Sequence, residues 1–179
     1  MWATWTLEDH DFLYGKAARN SGRASAGINL LMLIGIAYYG LKSIYKNQKK
    51  RDALRVIITL LAINHLIHFF FVYQNFKSRF VEFNPVEHLH GMITFICILL
   101  VPLLLWKIKK LNALIYFGII LHLFNVTYFM MKTSYSKITP ERPGFVHQIR
   151  IGIMLLVLLY VLLSMFRERR ENCLLIRPK

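Results

Sequence analysis

The chain has 179 residues, of which 56% are hydrophobic, 14% are aromatic and 18% are charged, and its formal net charge is +14 at pH 7. Its mean hydropathy of +0.43 excludes an ordinary soluble domain, whereas an integral membrane protein with basic loops has this balance of apolar and positive residues. The composition therefore predicts a polytopic, all-α membrane protein.

Residues 1–26 precede the first apolar stretch, and we predict that they form a segment on the outer surface of the membrane. Thr6 followed by Asp9 has the spacing of a helix-start capping box, and Trp2 and Trp5 suit the headgroup region. A short interfacial helix is the expectation, with a disordered tail as the alternative. The segment lacks the flanking pattern of a cleavable signal, so we expect it to belong to the mature protein.

Five stretches without Asp, Glu, Lys or Arg predict five transmembrane helices within a domain of residues 27–166. A helix needs roughly 17–25 apolar residues to cross the hydrocarbon, and the first and last stretches are short by this measure. The neighbouring Lys42 and Arg150 can extend their stems along the helix to the interface. Four spans with a re-entrant first segment remain an alternative. The five stretches are residues 27–41, 56–76, 88–106, 111–131 and 151–166.

The basic residues set the predicted orientation, because Lys and Arg resist translocation. The connections after spans one and three, together with residues 167–179, contain 14 basic and 3 acidic residues, against 9 and 6 for the other side. This predicts an outer N-terminus and a basic cytoplasmic tail, in a plasma or bacterial inner membrane. The basic connection at 46–51 is interpreted as meeting lipid headgroups, and no nucleic-acid partner is predicted.

All seven histidines fall on or beyond the outer half of the membrane in this topology. His65 and His90 are 25 residues apart, as are His122 and His147, and the second pair follows the first at an offset of 57. This spacing predicts that the last four helices form a bundle of two similar hairpins, each with one deep and one shallow histidine. Because an imidazole in hydrocarbon is costly without a partner, the set indicates a site.

Haem b is the first candidate for this site. A porphyrin held between helices takes axial imidazoles in their neutral form, which burial favours. We predict that His65 and His122 bind one haem, and that His90 and His147 bind a second, shallower one. The function predicted in this way is electron transfer, with a membrane quinol and a redox partner subunit as candidate partners.

A non-haem metal is the alternative cofactor. Copper, zinc or iron can be bound by three or more histidines with a position open for substrate, as in a membrane enzyme acting on lipid. A diiron carboxylate centre is disfavoured because the spans contain no Asp or Glu. The candidate metal ligands are His65, His68, His88, His90, His122 and His147.

Three fragments resemble parts of transmembrane b-type cytochromes. The run from His90-Gly91 through Leu99-Leu100-Val101-Pro102 is similar to a helix of the ascorbate-reducible cytochromes, which opens with a haem-ligating His-Gly pair. Leu121-His122-Leu123 and Val146-His147-Gln148 resemble the histidines of ferric-reductase-type haem domains. The resemblance implies that His90, His122 and His147 are haem ligands.

A function without catalysis is the third possibility. A homo-oligomeric channel or assembly factor could use outer histidines as gates, since the unperturbed pKa of histidine is about 6.5. The polar candidates to line such a pore are few, being Asn64, Thr94, Asn125 and Thr127 besides the histidines. The absence of acidic residues from the spans also argues against a proton-coupled carrier.

Overall fold

The protein is described by a computed structural model that covers residues 7–78, 88–108, 112–136, 138 and 144–175. Every regular element in these ranges is an α-helix, which confirms the predicted all-α class. In chain order the helices are α1 (Leu7–Tyr39), α2 (Leu41–Lys46), α3 (Gln48–Ser78), α4 (Leu89–Lys107), α5 (Ala113–Tyr135) and α6 (Phe145–Leu175).

Four of these helices are long and apolar enough to cross a membrane. The spanning segments are Gln48–Ser78, Leu89–Lys107, Leu114–Tyr135 and Phe145–Glu168. In hydrocarbon, a helix satisfies its backbone hydrogen bonds internally, which is why long apolar runs of this chain adopt this form. Each of the four segments covers most of one of the last four apolar stretches of the sequence, whereas the first stretch runs from α1 into α2 and lies outside this set.

The five long helices form a closed ring. The neighbours around it are α1 and α3, α3 and α4, α4 and α5, α5 and α6, and finally α6 and α1. The short α2 packs against α1 and α3, and α1 also touches α5 across the ring. Helices α3 and α5 therefore lie on either side of α4, and α4 and α6 lie on either side of α5.

Apolar residues occupy both the interior and the outer surface of this ring. Leu33, Leu123 and Val126 are fully buried, while Leu114 and Leu156 are 79% and 68% exposed. Large exposed apolar surfaces are rare on soluble monomers and normal on a surface that faces lipid. The exposed faces of the spanning segments thus support a position in a bilayer.

Helix α1 runs without a break through the boundary predicted at residue 26. Residues 7–26 are thus the first half of a 33-residue helix rather than a separate short one. Ala18, Gly22 and Ala26 recur every four residues and let α1 approach α3 closely. A Cβ on Gly22 would lie 3.1 Å from Cε1 of His68 on α3.

Gly40 separates α1 from α2 at the end of the bundle opposite the histidines. Its φ of 73° lies in the left-handed region that glycine adopts without strain. The Glu168 carboxylate of α6 lies directly against its α-carbon. Glu168 also accepts hydrogen bonds from the Lys42 backbone N–H at 3.3 Å and from the Tyr116 hydroxyl at 3.4 Å. One carboxylate thus connects α2, α5 and α6.

Arg55 ties α3 to the end of α4. Its guanidinium donates to the carbonyls of Leu105 at 3.0 Å and Ile108 at 2.6 Å, and to Asp52 at 2.9 Å. The last carbonyls of a helix have no partner within the helix, so a buried arginine that binds them stabilises the helix end. Arg55 is only 8% exposed.

Candidate functional site

Two serines of α1 hold two histidines of α3. Ser21 Oγ lies 3.1 Å from His68 Nδ1, and Ser25 Oγ lies 3.2 Å from His65 Nδ1. The serines are four residues apart and the histidines three, so each pair occupies one turn of its helix. The two imidazoles are neighbours, with ring centroids 5.4 Å apart.

Asn64 completes the contact between α1 and α3. Its Nδ2 donates to the Ser21 carbonyl at 2.9 Å and to Ser25 Oγ at 2.7 Å. Ser25 is 1% exposed and His65 is 7% exposed, so this group of polar atoms is shielded from lipid. Within the described residues, Nε2 of His65 makes no hydrogen bond, and its ring packs 6.0 Å from that of Phe95 on α4.

A second polar contact connects α1 to α5. Asn29 lies one turn after Ser25 and is fully buried, and its Nδ2 donates to Thr127 Oγ1 at 3.0 Å. The Asn29 Oδ1 atom is buried and has no hydrogen-bond partner. Further along the same face, Leu33 is fully buried. The polar face of α1 thus ends at Asn29.

His90 opens a chain of hydrogen bonds between α4 and α5. Its Nε2 lies 3.2 Å from Asn125 Oδ1, and Asn125 Nδ2 donates to Thr94 Oγ1 at 3.1 Å. The rings of Tyr128 and Phe129 each lie 5.6 Å from the imidazole, centroid to centroid. Packing and hydrogen bonding together fix the orientation of this histidine.

His122 differs from His65 and His90, whose rings have hydrogen-bond partners on neighbouring helices. It lies in the middle of α5, is 7% exposed, and its Nδ1 is buried without a hydrogen-bond partner. A buried polar group without a partner costs about 1–3 kcal/mol. Such an atom in a natural protein calls for an explanation, such as a ligand, an ion or a water molecule.

The remaining histidines lie at helix starts or outside the described side chains. His88 occupies the residue before α4, and its ring packs 5.8 Å from that of Phe76. His147 lies in the first turn of α6. His10 belongs to α1, but its side chain lies outside the described part of the structure.

The histidines predicted as ligands fall into separate groups rather than one cluster. His65 lies beside His68 at the contact of α1 and α3, while His90 lies at the contact of α4 and α5. Among the residues that the structure describes, no three His, Cys, Asp or Glu side chains are placed to hold a metal ion. Comparisons with protein-family models, curated proteins and solved structures found no match to this chain.

The partners that α1 supplies to the histidines were not predicted from the sequence. Ser21, Ser25 and Asn29 recur every four residues, and this period places them on one helix face. Together with the small residues Ala18, Gly22 and Ala26, the pattern is typical of a closely packed membrane helix. It was available in the sequence as a signal that α1 lies against the histidine-bearing helices.

Ser25→Ala is expected to lower the free energy of unfolding by about 1–2 kcal/mol, since it removes hydrogen bonds to both His65 and Asn64. Denaturation by SDS titration, followed by far-UV circular dichroism in micelles, measures this change. Ser136→Ala is the matched control, because Ser136 is exposed and bonds only to the Thr133 carbonyl. Equal stabilities of the two variants would contradict a structural role for Ser25.

Proposed function

We propose that this chain is an integral membrane protein that binds haem b through histidines and transfers electrons. Four helices that can span a membrane supply the apolar surroundings that such a group requires. When bound, haem b supplies a reversible one-electron couple at its iron. The chain itself would bind the porphyrin, orient the imidazoles and exclude water.

The Nδ1 atom of His122, which is buried without a hydrogen-bond partner, is the observation that carries this proposal. Its position in the middle of an apolar helix favours the neutral form, which is the form that binds a metal. Coordination gives a buried ring nitrogen a partner that the described protein does not supply. A lone histidine hydrogen-bonded to a neighbouring helix would be the ordinary case, and His122 does not fit it.

His65 is suited to be a second ligand because its ring is already oriented. With the proton on Nδ1, the imidazole donates to Ser25 Oγ, and the lone pair of Nε2 is left for a metal. In a histidine that binds a metal, the N–H of the other ring nitrogen usually donates a hydrogen bond in this way. This bond fixes the tautomer and the ring plane. Ser25 is therefore proposed as a positioning residue for His65.

The arrangement of helices is compatible with paired axial ligands. His65 and His122 lie on α3 and α5, which flank α4, and His90 and His147 lie on α4 and α6, which flank α5. Two helices separated by one neighbour could each supply one histidine to a haem bound between them. His90 already uses Nε2 to contact Asn125, and we therefore place His65 and His122 first among the ligands.

The number of available ligands favours haem over a non-haem metal. A copper, zinc or iron centre in protein needs three or more side chains around one ion. A haem would need only one or two imidazoles from the chain. The described residues contain histidine pairs and single histidines but no group of three ligands.

The proposal includes a topology with five spans, which depends on the length of α1. At about 1.5 Å per residue, the 33 residues of α1 extend for about 50 Å, which exceeds a bilayer's hydrocarbon core. We propose that α1 is a fifth span with an outer N-terminus, and that α3–α4 and α5–α6 are the two predicted hairpins. The histidines then lie in the outer half of a plasma or bacterial inner membrane, open to a quinol and an outer redox partner.

An absorbance spectrum of the protein purified in detergent after expression with added haem precursor tests the proposal. We expect a Soret band that shifts on reduction by dithionite, with about one haem or two per chain. His65→Ala and His122→Ala should each reduce the haem content or change the reduced spectrum. His88→Ala is the matched control, because that ring lies at the start of α4 and is not one of the four proposed haem ligands.

The fold of each variant is checked by circular dichroism, and His122→Met is added because methionine can also bind haem iron. His122→Met should retain haem and raise its reduction potential. A wild-type protein without haem after this expression would overturn the proposal. Unchanged spectra of both alanine variants would overturn the ligand assignment.

A further inference from the structure

A group of lysines forms the surface of the bundle at the end opposite the histidines. We call it the basic step, and it consists of α2 and the first turn of α3, with Lys42, Lys46, Lys49 and Lys50. Lys46 and Lys49 are exposed, and the other two are half-buried. None of the four forms an ion pair within the described part of the chain.

The described acidic side chains at this end, Asp52 and Glu168, form no ion pair with the lysines of the basic step. Asp52 is paired with Arg55 at 2.9 Å. The carboxylate of Glu168 accepts from the Lys42 backbone N–H and from the Tyr116 hydroxyl. Burial raises the pKa of Tyr45, so this phenol adds no negative charge either. The four ammonium groups therefore produce a positive field that is open to the outside.

The step is held rigidly against the bundle. Leu41, Ile44 and Tyr45 of α2 are buried, and Arg51 donates to the Tyr45 carbonyl at 3.4 Å. The break at Gly40 redirects the chain, so that α2 packs on α3 as well as on α1. The lysines of the step consequently have a fixed backbone arrangement, which reduces the entropy that a ligand must overcome.

Exposed aromatic side chains accompany the lysines at this end. Tyr38 is 71% exposed and Tyr39 is 48% exposed, and Lys50 Nζ lies 4.3 Å from the centroid of the Tyr39 ring. Trp106, at the end of α4, is 50% exposed. Exposed tyrosine and tryptophan beside apolar spans are typical of the level of the lipid headgroups.

We propose that the basic step binds the headgroups of anionic phospholipids in the leaflet where these helices end. Charge complementarity selects the phosphate of a lipid such as phosphatidylglycerol, and the tyrosines adjoin its glycerol region. The lipid is already concentrated at this depth, because the spanning segments anchor the step at the bilayer surface. A nucleic acid would lack this anchoring and would meet tyrosines that face the bilayer. The proposal is independent of haem.

Native mass spectrometry of the protein released from nanodiscs tests this inference. The nanodiscs contain equal amounts of phosphatidylglycerol and phosphatidylcholine, and the lipids retained by each variant are counted. The wild type should retain phosphatidylglycerol preferentially, and K46Q/K49Q should reduce this preference by about tenfold. Raising the salt concentration before release should weaken binding in the wild type.

K77Q/K132Q is the matched control, because it removes the same charge from two exposed lysines at the histidine end. It should retain the wild-type preference, and circular dichroism verifies the fold of both variants. Equal lipid preference in the wild type and K46Q/K49Q would overturn the proposal, as would an equal loss in the control. Tighter binding of a single-stranded oligonucleotide than of phosphatidylglycerol to the basic step would also overturn it.

Discussion

Arg55→Met is expected to lower the free energy of unfolding by about 2–4 kcal/mol, because it leaves two carbonyls at the end of α4 without their charged donor. The lost bonds are those to Leu105 and Ile108, and the ion pair with Asp52 is lost with them. The guanidinium also lies 5.5 Å from the centroid of the Trp106 ring, so a packing contact disappears. SDS titration monitored by far-UV circular dichroism measures the change.

Arg55→Lys separates the charge from the geometry. A lysine retains the charge but lacks the planar fork that donates in three directions, so we expect it to recover less than half of the loss. Lys49→Met is the control, since that exposed side chain binds no described acidic group. If Arg55→Lys were as stable as the wild type, the bonds to the carbonyls would not be the source of the stability.

Gly40→Ala is expected to destabilise the protein by about 2–4 kcal/mol, for two reasons that add. The φ of 73° is unfavourable for a residue with a Cβ, and that Cβ would overlap the carboxylate of Glu168. The displaced carboxylate would lose its bonds to the Lys42 backbone and the Tyr116 hydroxyl. The same SDS titration reports the effect.

A double-mutant cycle with Glu168→Ala distinguishes the two causes. In the Glu168→Ala background, Gly40→Ala should cost only the backbone strain, about 1 kcal/mol. The interaction energy between the two sites should therefore be about 1–3 kcal/mol. Additive effects would mean that the contact between Gly40 and Glu168 does not contribute to stability.

The apolar helices were predictable because their signal is local. Most of each of the last four charge-free stretches lies within a helix, and the ends differ: α6, for example, begins at Phe145 rather than at residue 151. The extent of α1 was not predictable from hydropathy. Its first part contains many small and polar residues, and α1 packs against α3, so the helix is stabilised by tertiary contacts that a hydropathy pattern does not reveal.

The histidines were identifiable as unusual, but their partners were not. His65 and His68, three residues apart on α3, have adjacent rings on one face of that helix. The hydrogen bonds to Ser21 and Ser25 join residues that are 47 and 40 positions apart. Such contacts depend on which helices are neighbours in the ring, and spacing along the chain does not determine that.

The seam between α1 and α6 has a consequence for biogenesis. It brings α1 against α6, which is synthesised more than 100 residues later, so the ring closes only after α6 has left the ribosome. Until then, the flank of α1 that packs against α6 has no final neighbour. An insertase or chaperone that shields this flank would therefore have to remain bound to α1 until α6 is inserted. Truncation of α6 would leave the flank exposed and the protein prone to aggregation.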